Sequence, residues 1–117
     1  QTQTSSSALK PDELKNGNYK SAVGTWKSSN GKTITITSDG QLDFWGYTYP
    51  IDKVSPNQYV SGIYTLTYVD SSQVGNTPIQ LCPKGISDGS DVGDNSKDRI
   101  LATNGVPSEE SHFYRVD

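Results

Sequence analysis

The sequence predicts a small all-β domain, a predominantly antiparallel, barrel-like meander of about six or seven strands with a short N-terminal helical turn. Three observations predict it. Residues 24–47, GTWKSSNGKTITITSDGQLDFWGY, contain the same hairpin pattern twice. Later segments alternate β-branched or aromatic residues with polar ones, and Gly, Pro, Asn and Asp separate them at strand-length intervals. Helical periodicity is almost absent.

The two hairpins set the register. If Ser29, Asn30 and Gly31 form a three-residue loop, with glycine in the left-handed position that a side chain resists, Lys32 pairs with Ser28 and Ile34 falls opposite Trp26. Ser38, Asp39 and Gly40 repeat the device. Ile36 then lies opposite Leu42 and Ile34 opposite Phe44. Trp26, Ile34 and Phe44 form one cross-strand row, and Gly24, Ile36 and Leu42 the next. Thr25, Lys27, Thr33, Thr35 and Thr37 occupy the other face, the polar side of a half-buried sheet.

The remaining elements follow in order. Residues 1–8, opening QTQTSSS, read as a flexible tether, and residues 9–117 as a single β domain. Pro11 suits a first helical position, Asp12 and Glu13 suit the positive end of a helix dipole, and Gly17 stops the turn, leaving Leu9 and Leu14 to plug one end of the sheet. Strands are expected at 23–28, 32–37 and 41–47. Pro50 and Pro56 bracket a connection or irregular edge segment that contains Ile51 and Val54. Residues 58–69 are the longest strand candidate, with a bend or bulge at Gly62. Residues 78–86 read as a strand that Pro78 and Pro83 push toward an edge or interrupt, and 87–96 as a loop. Two shorter strands, 99–103 and 112–116, flank the turn chemistry of Asn104, Gly105 and Pro107. Closure into a barrel or folded sheet hides edges that would otherwise pair with other chains.

Composition bounds the partners. The 117 residues suit one domain able to bury a core without disulfide staples. Hydrophobic residues make up only 31%, so the seven tyrosines are expected to supply much of the core. A net charge of −3 and a pI near 5.0 leave no basic footprint for nucleic acid or an anionic membrane surface. Cys82 is the single cysteine, which excludes an intrachain disulfide and a multi-cysteine metal site; burial is its expected state. Methionine is absent, including at position 1, so the chain reads as a processed or recombinant segment. No apolar stretch is long enough to span a bilayer as a helix, and no cofactor motif is present.

The series KPDELKNGNY, SAVGTWKSSNGKTITI, PIQLCPKGI, NSKDRI and HFYRV, from about Leu9 to Asp117, resembles a domain of unknown function found in the surface lipoproteins of lactobacilli, streptococci and related Gram-positive bacteria. The resemblance implies an extracellular, cell-surface location with membrane attachment only through a lipid anchor upstream of residue 1. It implies no reaction. Gly24-Thr25-Trp26 is also locally similar to the first strand of lipocalin- and avidin-type (calycin-like) barrels, in which such a tryptophan closes one barrel end.

Several constellations carry candidate chemistry. Trp45, Tyr47 and Tyr49 alternate along a strand, on the face opposite Phe44, unless Gly46 bulges and turns Tyr47 inward or another strand covers the row. Such a row presents flat rings that can stack on sugars, and Tyr59 would extend it. Arg99 follows Lys97 and Asp98 at a loop-to-strand junction. It either pairs structurally, with Asp98 accepting backbone amides, or meets a ligand carboxylate or phosphate. Asp88, Asp91, Asp94 and Asp98 recur around glycines as a weak calcium candidate, without the spacing of an EF-hand loop. Gly85-Ile86-Ser87-Asp88-Gly89 spells the nucleophile-elbow pattern, with His112 downstream, but the segment is a poor helix former and the scaffold lacks alternating βα units. As a zinc ligand, His112 has no partner histidine or thiol at a suitable spacing. These readings lead to a non-catalytic binding or accessory module that contacts cell-wall or host glycan or a protein partner. A calycin-like carrier of a small apolar ligand stands as the alternative, and a hydrolase third.

Overall fold

The computed structural model describes residues 8–44, 46–69, 77–87, 93–103 and 107–116. Eight antiparallel strands close into an up-and-down barrel, each bonded to its sequence neighbours, with the last returning to the first. They are β1 (Gly24–Lys27), β2 (Thr33–Ile36), β3 (Gln41–Phe44), β4 (Tyr47–Pro56), β5 (Tyr64–Tyr68), β6 (Ile79–Cys82), β7 (Arg99–Ala102) and β8 (His112–Arg115). A short helix α1 (Pro11–Lys15) and a 3₁₀ turn (Lys20–Ala22) precede β1, and a second 3₁₀ turn (Glu109–Ser111) precedes β8.

The expected meander register holds pair by pair. Trp26 opposes Ile34, Ile34 opposes Phe44, Ile36 opposes Leu42, and Gly31 and Gly40 take φ of 88° and 89°. Each loop is stitched by its own side chains. Ser28 bonds Asn30 in the first, and Thr37 bonds Asp39 at 2.5 Å in the second. Strand number departs slightly from expectation, because the segment between Pro50 and Pro56 is a strand and not a connection. Pro56 is its last residue, where a missing N–H costs least, and Pro50 uses its carbonyl to accept the Val69 amide at 2.9 Å. A register shift between Ile51 and Lys53 lets β4 pair with β3 through its first half and with β5 through its second. Conversely, the long candidate at 58–69 shrinks to Tyr64–Tyr68, because residues 57–63 form the loop.

Inward positions come from every strand: Trp26, Ile34, Ile36, Leu42, Phe44, Val54, Tyr64, Leu66, Ile79, Leu81, Ile100 and Phe113 are all buried. Aliphatic residues dominate this core, contrary to the compositional expectation. Tyr64 alone among the tyrosines belongs to its buried set, while Tyr19, Tyr49 and Tyr68 pack half-buried around it. An eight-stranded barrel is just wide enough for side chains to fill. Leu9 and Leu14 complete the core from beneath, as their spacing suggested.

Strand alternation sorts the connections between two ends. The lower end holds the N-terminal helix, the β2–β3, β4–β5 and β6–β7 connections and the end of β8. The upper end holds the β1–β2, β3–β4, β5–β6 and β7–β8 connections. Trp26 and Arg115 seal the seam between first and last strands. The Trp26 indole N–H donates to the Ala22 carbonyl at 3.0 Å, and the Arg115 guanidinium lies 4.3 Å from the indole centroid. Arg115 also donates to the carbonyls of Val23 and Ser21, at 2.8 and 2.7 Å. One charged group thus satisfies two carbonyls of the turn that leads into β1. No helix among the described residues is long and apolar enough to cross a membrane.

Arg115→Met keeps most of the aliphatic bulk and strands both carbonyls, so it is expected to lower stability by about 1–3 kcal/mol. Trp26→Ala is expected to cost about 3–5 kcal/mol. Urea unfolding followed by circular dichroism measures both, and a wild-type midpoint for Arg115→Met would mean that the guanidinium does not hold the seam.

Candidate functional site

The exposed aromatic surface is built by the β3–β4 reversal. Phe44 pairs with Tyr47 and Leu42 with Tyr49, so the chain turns back after Phe44, with only positions 45 and 46 between the paired residues. Gly46 supplies the left-handed conformation of that turn, at φ 82°. This overturns the facing expected of an unbroken strand and bears out the alternative in which Gly46 turns Tyr47 inward. Directly paired residues share a face, so Tyr47 and Tyr49 stand on the same side as Phe44, not opposite it. Alternation restarts at the turn instead of running through it. Trp45 lies outside the described residues.

Four rings therefore climb from core to solvent. Phe44 meets Tyr68 edge-on at 6.3 Å between centroids, Tyr68 lies 5.0 Å from Tyr49, and Tyr49 lies 6.4 Å from Tyr47. Phe44 is buried, Tyr49 and Tyr68 are half-buried, and Tyr47 is 67% exposed. The Tyr68 hydroxyl is fixed by the Thr77 backbone, accepting from its amide at 3.1 Å and donating to its carbonyl at 3.0 Å. The place of Tyr68 in this row was not legible in the sequence, because its pairing with Ile51 depends on the shift inside β4.

Beside Tyr47, a shallow open depression on the outer face of β2, β3 and β4 is lined by Thr33, Thr35, Asp43 and Thr48. Cross-strand pairing aligns Thr25, Thr35, Asp43 and Thr48 in one polar row. Asp43 accepts the Thr48 hydroxyl at 2.6 Å, and the Thr25 and Thr35 hydroxyls stand 3.4 Å apart. The arrangement places hydroxyls and a carboxylate next to an exposed ring.

Tyr59 is 85% exposed but does not extend this surface. It belongs to the β4–β5 loop at the lower end, whereas Tyr47 begins β4 at the upper end. Ten strand residues separate the ends by roughly 30 Å.

The other candidates take structural positions. Arg99 is fully buried, and its guanidinium donates to the Ile86 carbonyl at 2.6 Å and the Lys97 carbonyl at 3.2 Å. Described residues of the β6–β7 connection cover this side of the barrel: Ile86 packs on the cluster of Cys82 and Leu101, Gly93 lies against the His112 ring, and the Ile86 and Lys97 carbonyls hold Arg99, so β7 is buried on both faces. Cys82 packs in a small second cluster with Ile63 and Leu101. His112 is wholly buried, with Nδ1 2.6 Å from the Ser108 carbonyl, and a Cβ added to Gly93 would stand 2.6 Å from its ring. Ser87, in contrast, is exposed.

Of the four aspartates, Asp88 and Asp91 lie outside the described residues. Asp98 spends both oxygens on backbone amides: Lys84 at 2.7 Å and Leu9 at 2.9 Å, the latter tying the N-terminal segment to this connection. Asp94 closes a local turn by accepting the Ser96 hydroxyl at 2.5 Å and the Ser96 amide at 3.0 Å. Those two bonds, with smaller help from the Lys97 and Arg99 charges, hold its carboxyl below the ordinary value of 3.8. Among the described residues, no group of three or more His, Cys, Asp or Glu side chains could hold a metal ion.

The whole chain, residues 1–117, matches the model of a domain of unknown function, DUF6287, and belongs to that family. No curated protein and no solved structure matches it.

The Asp94 turn makes a pH prediction with a definite sign. A folded-state pKa below the unfolded value means that the Ser96 bonds are fully present above the ordinary carboxylate value and are lost as pH falls through the lowered one. The Ser96 amide resonance is therefore expected to titrate with a midpoint below 3.8, and Ser96→Ala to move the Asp94 midpoint back toward 3.8. Two-dimensional NMR of the Asp94 carboxyl reads the second effect.

Proposed function

For this member of the DUF6287 family we propose a non-catalytic binding module, displayed outside a Gram-positive cell, that receives a sugar ring of cell-wall or host glycan at its upper rim. Tyr47 carries the reading: a ring 67% exposed at the end of a row of rings anchored in the core, beside the Asp43–Thr48 polar strip. A ring held by neighbouring rings has little freedom left to lose on binding. Its face stacks on the apolar C–H face of a sugar, while Asp43, Thr33 and Thr35 exchange hydrogen bonds with hydroxyls.

Orientation supports the same reading. An even number of up-and-down strands leaves Ala8 and Val116 at the lower end, so attachment through the Ser- and Thr-rich leader would direct the upper rim away from the anchoring surface. The extracellular, lipid-anchored setting rests on the resemblance of the KPDELKNGNY-to-HFYRV series to surface lipoproteins.

An internal carrier site is less well supported. The local similarity of Gly24-Thr25-Trp26 to calycin-like barrels fits eight strands with a tryptophan at one end, but the interior positions of this barrel hold packed side chains. A hydrolase through Ser87 is weaker still, since Ser87 is exposed while His112 is enclosed and directed at a backbone carbonyl.

Tyr47→Ala is expected to weaken binding of the domain to immobilised peptidoglycan or host glycan by about tenfold or more without changing its unfolding midpoint. Asp43→Asn is expected to produce a smaller loss. Binding measured by pull-down and by titration of the soluble glycan tests this, and native domain that retains no glycan from either source overturns the sugar reading.

A further inference from the structure

The β4–β5 loop at the opposite pole has a construction that the rim does not explain. Asn57 organises it almost alone. Its side-chain oxygen accepts the amides of Tyr59 at 2.7 Å and Val60 at 2.9 Å, and its side-chain nitrogen donates to Gln80 Oε1 at 3.0 Å on β6. Its own amide donates to the Ile63 carbonyl at 2.8 Å, closing the loop on itself. Gly62, at φ 88°, presses against Ile86, where an added Cβ would lie 3.1 Å from that side chain. The backbone carrying Tyr59 is thus held from three sides, yet the Tyr59 ring is 85% exposed and contributes nothing to either buried cluster.

That ring borders a concave surface formed with Pro56, Gln58, Ser61 and, from α1, Lys15. Ile63 and Tyr64 also line this surface but are buried, so what it presents to solvent is one flat ring with an amide, a hydroxyl and an ammonium, without the clustered exposed apolar anchors that a protein partner needs. It has what a sugar needs: one stacking face and donors and acceptors at its edge. We propose that the Tyr59 loop is a second saccharide-binding site. Tyr59 stacks on the ring, while Gln58 and Ser61 bind hydroxyls and the Lys15 ammonium a hydroxyl or carboxylate substituent. The site stands independently of the Tyr47 rim, because a different observation carries it: a rigid loop holding an exposed ring at the other end of β4.

The test is a titration of the 15N-labelled domain with two probes, chitotetraose as a neutral oligosaccharide and a hyaluronan tetrasaccharide as a carboxylated one, each into the millimolar range. The expected result is chemical-shift change at residues 58–62 and Lys15 with at least one probe. Tyr59→Ala should weaken that binding about tenfold, and Tyr47→Ala should leave it unchanged. Lys15→Gln should weaken the carboxylated probe more than the neutral one if the ammonium meets the carboxylate, and both alike if it meets a hydroxyl. Failure of both probes to move these resonances, or equal affinity for Tyr59→Ala with its amide spectrum intact, overturns the second site. Shifts confined to residues 46–49 would overturn it while leaving the rim intact.

Discussion

Closure of the barrel between its first and last strands is the constraint on which the rest of the structure depends. That seam is short, with two paired positions and the Val116 amide donating to Thr25 at 3.0 Å. So little backbone pairing would leave β1 and β8 as two loosely held edges. Trp26 and Arg115 supply what the ladder does not. The indole occupies the interior, the guanidinium covers it, and both bond carbonyls of the segment entering β1. Charge-assisted bonds to carbonyls withdrawn from water hold better than exposed ion pairs. The two side chains thereby fix strand to strand and strand to N-terminal turn together.

Much of this was legible in local sequence. Two Gly-ended loops determine the register of β1, β2 and β3, because each glycine answers a left-handed position and the polar faces of Thr33, Thr35 and Thr37 exclude the alternative facing. What escaped was non-local. Prolines left residues 50–56 open as a connection or an irregular edge segment, whereas β4 takes them into the closed barrel because its two halves pair with different neighbours. Likewise the strand expected at 99–103 carries no local sign that Arg99, Ile100, Leu101 and Ala102 are all buried, because part of the cover comes from residues as distant in sequence as Ile86.

The candidate site was legible by residue type and not by direction. Tyr47 and Tyr49 are prominent in the sequence, but their facing hangs on whether position 46 continues a strand or reverses it, and the glycine there was compatible with both. Tyr59 stood out as an exposed ring, and its separation from Tyr47 follows only from the length of β4. The organiser of its loop, Asn57, has a sequence signal that went unused: asparagine directly after proline favours a turn in which the side chain bonds amides two and three residues on.

An up-and-down barrel with an even number of strands divides its loops into two sets that face apart, and this chain places one well-exposed tyrosine in each set. The lower one shares its end with both termini of the described domain, where a neighbouring surface or segment can approach; the upper one faces away. If each ring contacts saccharide, the two contacts cannot lie on one short oligosaccharide, since roughly 30 Å of β4 separates them. They can lie on separate chains or on distant parts of one polymer. Binding to an extended glycan would then exceed the affinity for its fragments through effective concentration alone, with no new contact at either ring.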